Sequence, residues 1–572
     1  MASKADKPYT PLLKSGQQKS YNTNIPMRSR LDTVSFSISP PVWAVFWLLV
    51  VQMLERVAYF GITFNITTYV GAYLDFTMSG SVSLFVITTF AVGTMSTIAP
   101  VYGYLSDAKF GQYNVLVSCF VSYCIGAGLI CASAYTYKLQ TMYAKENLPE
   151  ILYFTGLALV LLFSASGIRA TIVPFMLEQL TGDYQKSKYL TQFVSWSYFA
   201  INVGGVIGVL LGGYFQSLHS QSLGFFWQYL LGFCSLCVAL VILIVFRNKF
   251  RKDRAPGFYV PNIKAIFQTA FCKGNRRQHF NIETLRYFEQ EPADEAEKNK
   301  KERQEHIRVL APILPLMCAL LLYFTIQAQA EGAFIMQGQR MDYGELANIS
   351  IPTADLTASF DPLAVILSVP VMLFCVKPLY ERIAKTTLYN VVMPRIRWGM
   401  ILAFLSCGLA TFIESYRNNQ SDTPRHRYYH TNTFAITECF WKIHIYLQVP
   451  QYVLMGMSEV LTEVGVIEFV LTSSPRQFRS ITIGFYNCVT GLGRYIGVAL
   501  LSFLQAVDHT STFPPSIHSN KTIYCDIDKE MKSKSYVYFM ILTCLIAANL
   551  VGLLLFETRF RKYVRIAPLP RN

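Results

Sequence analysis

The stretch Val51–Gly61, with the sequence VQMLERVAYFG, places Glu55 and Arg56 near the middle of an apolar run from Val42 to Val70. The run is long enough to cross a bilayer as one helix. A charged side chain at that depth costs roughly 3 kcal/mol on insertion scales, so it normally faces a partner or a water-filled cavity. Neighbouring helical residues point about 100° apart, so Glu55 and Arg56 need not pair with each other. The stretch therefore indicates either an ion pair that joins two helices or a solute site inside the membrane.

The composition identifies the broad class of protein. The chain has 572 residues, of which 52% are hydrophobic and only 15% are charged, whereas a soluble domain carries about 25% charged residues. Apolar runs of about twenty residues recur, which is typical of a polytopic helical membrane protein. The net charge of +15 is then explained by basic segments on the cytoplasmic side, and no nucleic-acid partner is expected.

Twelve membrane spans are predicted, in two groups of six. The first six lie at 42–70, 82–105, 114–136, 150–176, 189–215 and 224–246, and the second six at 308–330, 357–382, 395–415, 445–472, 479–506 and 535–556. The predicted domains are a tail (1–41), a six-helix bundle (42–246), a linker (247–307), a second six-helix bundle (308–556) and a C-terminal tail (557–572). Both tails and the linker are expected in the cytoplasm. The first forty residues are polar and basic, so no cleavable signal peptide is expected.

The loops on the opposite side carry candidate modification sites. Asn348, Asn419 and Asn520 each begin an N-x-S/T acceptor for glycosylation, and all three fall in loops predicted to face the outside or a lumen. Cys439 and Cys525 lie in neighbouring polar loops on that side, and we predict a disulfide between them. Most other cysteines lie in apolar spans without the spacing of a metal site, so no metal is expected.

Five stretches, in order along the chain, resemble the proton-coupled oligopeptide transporter family, solute carrier family 15, within the major facilitator superfamily. QMLERVAYFG (52–61) resembles ExxERFxYYG, and GYLSDAKFG (103–111) resembles the superfamily's loop between spans 2 and 3. The other three are SGIR with PF and EQ (166–179), YFAINVGG (198–205), and the PQYVL…SE…EF…SP pattern of span 10 (450–475). The sequence around Arg169 and the stretch LERVAYFGIT (54–63) are most similar to the peptide/histidine branch. The resemblance implies an all-α membrane protein with the major facilitator fold, twelve transmembrane helices in two six-helix bundles.

The resemblance also implies a substrate site. By position, Arg56 is similar to the arginine that helps bind the substrate's carboxylate, and Tyr59 matches a pocket tyrosine. Asn202 matches the asparagine that hydrogen-bonds the peptide, and Arg169 stands where the family has a lysine. Glu459 stands where the family's glutamate receives the ammonium group of the peptide. Together they would form a dipolar cradle for a zwitterion.

Three departures from the family pattern concern proton coupling. Gln52 replaces the first glutamate of ExxER, which the family associates with proton movement, and glutamine cannot titrate. Gln329 lies where many members carry an acid, although Glu331 is half a turn away, and Asp361 replaces an asparagine in span 8. Glu55 and Glu331 are therefore the candidate proton-coupling residues, with Gln329 in the substrate site.

Two further features of spans 10 and 11 are interpreted more plainly. Glu463 lies one turn from Glu459 on the same helix face and outside the family pattern, so it is expected to line the cavity. The glycines of span 5 and of 491–497 are expected to pack helices closely rather than to bind a nucleotide.

The sequence thus predicts a secondary transporter for di- and tripeptides, with histidine as a further candidate, coupled to protons and without another cofactor. The expected partners are small peptides or amino acids, membrane lipids and adaptor proteins. The expected location is the plasma membrane or an endosomal or lysosomal membrane. Two alternatives stay open: a peptide-sensing or adaptor protein with weak or no coupling, which Gln52 favours, and a transporter of another small anion or zwitterion. No pairing of a nucleophile with a base indicates an enzyme.

Overall fold

In the computed structural model, the described residues of the first half of the chain form eight α-helices. They are α1 (Pro40–Thr63), α2 (Ser81–Tyr104), α3 (Gln112–Tyr143), α4 (Leu148–Ala158), α5 (Ser166–Glu178), α6 (Asp183–Val206), α7 (Gly212–Leu218) and α8 (Gln221–Val245). Three π-helical segments interrupt or extend them: Leu105–Phe110 after α2, Leu159–Ala165 between α4 and α5, and Ile207–Leu211 between α6 and α7. Such segments are frequent where a helix is distorted at a functional site.

Eight more α-helices lie in the part of the second half that the structure describes. They are α9 (Ile313–Ala319), α10 (Leu321–Gln327), α11 (Ala333–Gly338), α12 (Phe360–Val371), α13 (Leu388–Asn418), α14 (Val449–Ser473), α15 (Arg479–Val507) and α16 (Ser535–Phe560). A π-helical segment (Met372–Val376) follows α12, and 3₁₀ turns (Ile445–Gln448 and Arg476–Phe478) precede α14 and α15. Predicted span 7 is not one continuous helix, because its backbone breaks between α9, α10 and α11.

The described part of the chain covers most of the predicted membrane region. It comprises residues 40–66, 69–70, 81–143, 148–180, 183–218, 221–252, 313–343, 357, 359–376, 378–379, 388–419, 425–430, 435–507, 517–519, 522–524 and 534–560. Contacts separate residues 1–40 from residues 41–572, and apart from Pro40 everything described here belongs to the second unit.

Within the described residues, each of the twelve predicted spans overlaps a helix or a run of helices. Among the described residues, eight helical segments are long and apolar enough to cross a membrane. These are Trp43–Thr63, Gln112–Thr136, Leu148–Glu178, Leu190–Phe215, Leu223–Val245, Val392–Asn418, Arg479–Leu504 and Ser535–Leu555. Helix α14 falls outside this set, and it carries three buried glutamates, Glu459, Glu463 and Glu468.

A small sheet, which the sequence does not predict, joins two loops of the second half. Its strands are β1 (Arg425–His430), β2 (Ala435–Phe440), β3 (Ile517–Ser519) and β4 (Thr522–Tyr524), in the order β1-β2-β4-β3. Strands β2 and β4 are parallel, whereas the other two pairs are antiparallel.

Two of the candidate modification sites, Cys439 and Asn419, are among the described residues. Cys439 lies in β2, and Asn419 is exposed one residue after α13. Asn348, Asn520 and Cys525 lie outside the described residues, so glycosylation and the disulfide stay predictions.

Close helix packing holds the charged stretch of α1 in place. A Cβ at Gly204 of α6 would collide with the backbone of Met53 and with Arg56, so only glycine lets α6 approach α1 here. Helices α2 and α15 meet in the same way, with Gly491 against the carbonyl oxygen of Gly93. The interpretation of these glycines as packing residues agrees with the structure.

Candidate substrate-binding site

Glu55 and Arg56 form a buried ion pair, with 2.9 Å between Arg56 Nε and Glu55 Oε2. The sequence leaves room for each to reach a separate partner, but the structure pairs them. Both side chains are almost completely buried, and an unpaired charge there would be costly, so pairing within α1 stabilises both. The residue before them on the same face, Gln52, accepts a 2.8 Å hydrogen bond from Ser197 of α6.

Two arginines share the ring of Tyr59. The Arg56 guanidinium carbon lies 4.9 Å from the ring centroid and that of Arg169, from α5, lies 4.8 Å from it. Cation–π contact of this kind lets two like charges stay close together. Since Arg56 already faces Glu55, the half-buried Arg169 supplies the positive charge in excess. Such an arrangement fits a carboxylate, which two guanidinium groups can grip through forked hydrogen bonds.

Glu459 belongs to the second half of the chain and lies where α14 meets α6. Its side chain is buried; Oε2 accepts a 3.0 Å hydrogen bond from the Tyr198 hydroxyl of α6, and Oε1 accepts one of 3.0 Å from Gln327 Nε2 of α10. Neither donor carries a charge. An ionised carboxylate has about four acceptor positions, so Glu459 can bind an ammonium group as well.

Asp361 and Glu463 interact electrostatically with Glu459, and Glu331 and Arg494 interact in turn with both of these acids. Glu331 forms a 2.7 Å ion pair with Arg494 of α15, and Glu463 accepts a 2.8 Å hydrogen bond from the Tyr486 hydroxyl. Asp361, on α12, is 8% exposed, and none of the described residues donates a hydrogen bond to its Oδ1.

Two residues that are predicted to bind the substrate form hydrogen bonds with other groups of the protein. Gln329 donates to the backbone of Thr325 over 2.9 Å and accepts from the Tyr538 hydroxyl over 2.7 Å, so Gln327, two positions earlier, is the glutamine at Glu459. The Asn202 amide donates to the carbonyl oxygen of Tyr198 over 2.8 Å, within its own helix. Arg494 is absent from the predicted site, although a lone arginine inside a membrane span is itself a functional signal.

A second set of contacts joins the halves at the end of α2, on the predicted cytoplasmic side. Asp107 Oδ2 accepts a 2.9 Å hydrogen bond from the Ile481 backbone N–H at the start of α15. Burial raises the pKa of Asp107 to about 7. Nearby, Arg479 pairs with Glu178 at 2.5 Å.

Helices α6, α13 and α14 meet at another buried carboxylate. Glu468 accepts hydrogen bonds from Thr191 over 2.7 Å and from Arg395 over 2.8 Å. Among the described residues, no group of three or more His, Cys, Asp or Glu side chains could hold a metal ion.

Comparison with known proteins assigns the chain to a family. The model of the POT family, PTR2, matches residues 113–519. The chain belongs to the POT family. The family's members are transporters, so the prediction of a transporter rather than an enzyme is confirmed.

Curated relatives match most of the chain at low identity. Mouse solute carrier family 15 member 3 is 24% identical over 506 residues, which cover 80% of this chain and 83% of the relative. The Arabidopsis thaliana protein NRT1/PTR FAMILY 5.14 is also 24% identical, over 490 residues, covering 81% of this chain and 84% of the relative. The first of these agrees with the peptide/histidine branch that the sequence predicts.

Solved structures confirm the fold. An auto-inhibited POT family peptide transporter superposes with a TM-score of 0.64 at 16% identity, covering 93% of this chain and 99% of that one. A POT family transporter in complex with 5-aminolevulinic acid gives 0.60 at 12% identity, covering 90% and 96%. The predicted major facilitator fold is therefore confirmed.

Proposed function

We propose that this POT-family chain is a proton-coupled symporter of di- and tripeptides that works by alternating access, with histidine as a further candidate substrate. The observation that carries the proposal is the separation of charge across the interior. Arg56 and Arg169 present positive charge from the first half, and Glu459 presents a carboxylate from the second. A zwitterion supplies a counter-charge to both ends at once, whereas an anion or a cation alone would leave one end unmatched.

The carboxylate end of the substrate binds at Tyr59, where the two guanidinium groups meet. Arg169 takes the larger share, because Arg56 is already neutralised by Glu55. When a substrate carboxylate draws Arg56 away, Glu55 loses its counter-charge and becomes able to accept a proton. Substrate binding and protonation are thereby linked through one ion pair.

The ammonium end binds at Glu459. Tyr198 and Gln327 hold the carboxylate without neutralising it, so its charge stays available to the substrate. A likeness to a POT transporter that binds 5-aminolevulinic acid supports this assignment, since that molecule also carries an amine and a carboxyl group.

Glu331 provides a second place where a proton and an ion pair compete. Its carboxylate pairs with Arg494 and is one-quarter exposed, so it is reached more easily from the cavity than Glu55. Protonation of Glu331 would release Arg494. Release of such a pair changes the balance of charge between the two halves, which permits them to rock about the site.

We propose the membrane location of the chain from its sequence and from a cluster of basic residues. Arg247, Lys249, Arg251 and Lys252 are exposed after α8, and Lys249 lies 4.9 Å from the ring of Trp43. This arrangement suits the anionic headgroups of a cytoplasmic leaflet. With both termini cytoplasmic, the plasma membrane and the endosomal or lysosomal membrane are the candidate locations.

One observation favours a second function, a peptide sensor or adaptor without coupling. Gln52 cannot titrate, and its side chain is already bonded to Ser197. A sensor would bind the same zwitterions and interact with cytoplasmic adaptor proteins without moving substrate.

Counterflow in proteoliposomes separates the two functions. Vesicles that contain the full chain are loaded with unlabelled dipeptide and diluted into labelled dipeptide, with no pH gradient. A transporter exchanges the label into the vesicles, whereas a sensor binds it without exchange. Glu557→Gln provides a control, because Glu557 is buried in α16 beside Arg397 at 3.5 Å, in an ion pair separate from the site. Binding without exchange in the wild type would contradict the transporter proposal.

A further inference from the structure

The charged groups around the proposed site do not balance. Among the described residues the site holds three arginines and five carboxyl groups. The arginines are Arg56, Arg169 and Arg494, and the acids are Glu55, Glu331, Asp361, Glu459 and Glu463. A zwitterion adds one charge of each sign, so its binding leaves the excess of negative charge unchanged.

Assigning a partner to every charge identifies the acids in excess. Glu55 pairs with Arg56 and Glu331 with Arg494. In the proposed function, Arg169 takes the substrate's carboxylate and Glu459 its ammonium group. Asp361 and Glu463 are then left without a cation.

Asp361 is the more isolated of the two. It is buried in the first turn of α12, and Oδ1 has no hydrogen-bond donor among the described residues. The charged and titratable groups facing it are Glu331, Glu459, Glu463, Arg494 and Tyr452. Arg494 is already occupied by Glu331, so an ionised Asp361 would be a buried charge among other acids, which is strongly unfavourable.

Glu463 has hydrogen bonds but no counter-charge of its own. Its Oε2 accepts from the Tyr486 hydroxyl. The groups facing it from the other helices are Tyr198, Tyr323, Tyr486, Glu331, Asp361 and Arg494, with Glu459 one turn away on α14. A hydroxyl stabilises a carboxylate only partly, because it supplies a dipole and not a charge.

We propose that Asp361 and Glu463 form a proton-binding pair that holds at least one proton while the site is closed around substrate. This assignment rests on the proposed function. It adds to Glu55 and Glu331 a third place of protonation, in the second half of the chain, and offsets the loss of a titrating group at Gln52. Two carboxyl groups that share a site readily share a proton, since both cannot ionise cheaply.

A proton fits this pair better than a second cation does. Asp361 and Glu463 are each 8% exposed, and a proton needs no volume beyond the carboxyl group that carries it. A lysine or arginine side chain of a substrate would need space of its own beside these two buried side chains. A preference for dibasic peptides that disappears in Asp361→Asn is therefore the outcome that would overturn the proposal in favour of a cation subsite.

Infrared spectroscopy of the full chain in lipid tests the pair without any transport. A protonated carboxylic acid has a carbonyl stretch that a carboxylate lacks. We expect the wild type to keep this signal at neutral pH, and Asp361→Asn and Glu463→Gln each to lose part of it. Asp361→Glu keeps a titrating group and should restore it. Glu557→Gln, which changes a buried glutamate outside the pair, controls for nonspecific effects. A wild type without the signal, or variants that all keep it, would overturn the proposal.

Coupling stoichiometry gives the second readout. Loss of one coupled proton lowers the limiting accumulation of substrate by about tenfold for each unit of imposed pH difference. We expect this loss in Asp361→Asn and Glu463→Gln, measured relative to the counterflow rate of each variant. Full accumulation in both variants would overturn the proposal. If the wild type shows no counterflow, the proposed transport function fails, and the infrared result still decides whether the pair binds a proton.

Discussion

Tyr198 donates a 3.0 Å hydrogen bond to Glu459 Oε2, so a hydroxyl from α6 in the first half holds a carboxylate that α14 presents from the second half. The contact spans the two halves at the proposed substrate site. Any motion that separates α6 from α14 must break it. The position of the ammonium-binding group is therefore linked directly to the conformation of the transporter.

Glu459→Gln should discriminate between two classes of ligand. Glutamine keeps the shape, accepts from Gln327 through its amide oxygen and can donate to the Tyr198 hydroxyl through its amide nitrogen, but it loses the charge. A dipeptide with a free amino group should therefore bind more weakly by about 2 kcal/mol or more, roughly thirtyfold. An N-acetylated dipeptide lacks the ammonium group and should lose little. Binding constants from titration calorimetry measure both, and equal losses for the two ligands would mean that Glu459 is not the ammonium partner.

Arg56→Ala should abolish peptide binding, because it removes one of the guanidinium groups at Tyr59 and leaves Glu55 buried without its 2.9 Å partner. An unpaired buried charge costs several kcal/mol and can unfold the protein. The double variant Glu55→Gln with Arg56→Gln removes both charges, so it should restore thermal stability without restoring binding. Recovery of binding in the double variant would show that Arg56 acts through folding alone.

The contact between Asp107 and Ile481 should weaken as the pH rises. Burial raises the pKa of Asp107 to about 7, from an ordinary value of about 4. Between these two pH values, Asp107 is protonated when it contacts Ile481 but ionised when it is exposed to water. The fraction of molecules in which this contact is formed should therefore fall as the pH increases from about 4 to about 7. The distance between spin labels attached at the exposed positions Phe110 and Leu379 measures this change. The fraction of molecules with a long distance between the labels should grow as the pH rises.

Asp107→Asn provides the control for that measurement. Asparagine cannot ionise and still accepts the backbone hydrogen bond, so the label distances should stay short across the whole range. The same pH response in wild type and variant would assign the effect to another group.

The disulfide between Cys439 and Cys525 stays a prediction from the sequence, because Cys525 lies outside the described residues. Cys439 lies in β2, and Cys525 directly follows Tyr524, the last residue of β4, in the sequence. The two strands run parallel with Ile436 opposite Ile523. Peptide mapping under non-reducing conditions should find one cross-linked peptide that contains both cysteines. Two free thiols would refute the disulfide.

The helices are predictable because a bilayer admits few alternatives for a run of about twenty apolar residues. The small sheet is not, since its strands are short and pair across two separate loops. Glycine spacing correctly predicts that Gly204 packs one helix closely against another. Around Arg494, however, the glycines indicate only close packing and do not predict that this arginine forms an ion pair. Its ion pair with Glu331 depends on the tertiary contact between α15 and the turn after α10, which the sequence alone does not predict.

Side-chain direction explains the other differences in the site. Residues two apart on a helix point about 200° apart, and α10 ends at Gln327. Helical periodicity therefore cannot determine whether Gln327 or Gln329 faces Glu459. For Glu55 and Arg56, flexible side chains overcome their different directions on α1, so that two neighbours pair with each other.

Uptake of a labelled dipeptide into proteoliposomes, with and without an imposed pH gradient, tests the central claim of proton-coupled transport most directly. Wild type should accumulate the dipeptide only when the outside is more acidic. Glu55→Gln should lose accumulation and keep exchange. Gln52→Glu, whose carboxylate can still accept the Ser197 hydrogen bond, should accumulate more. Wild-type uptake that ignores the gradient, with no gain in Gln52→Glu, would contradict the account.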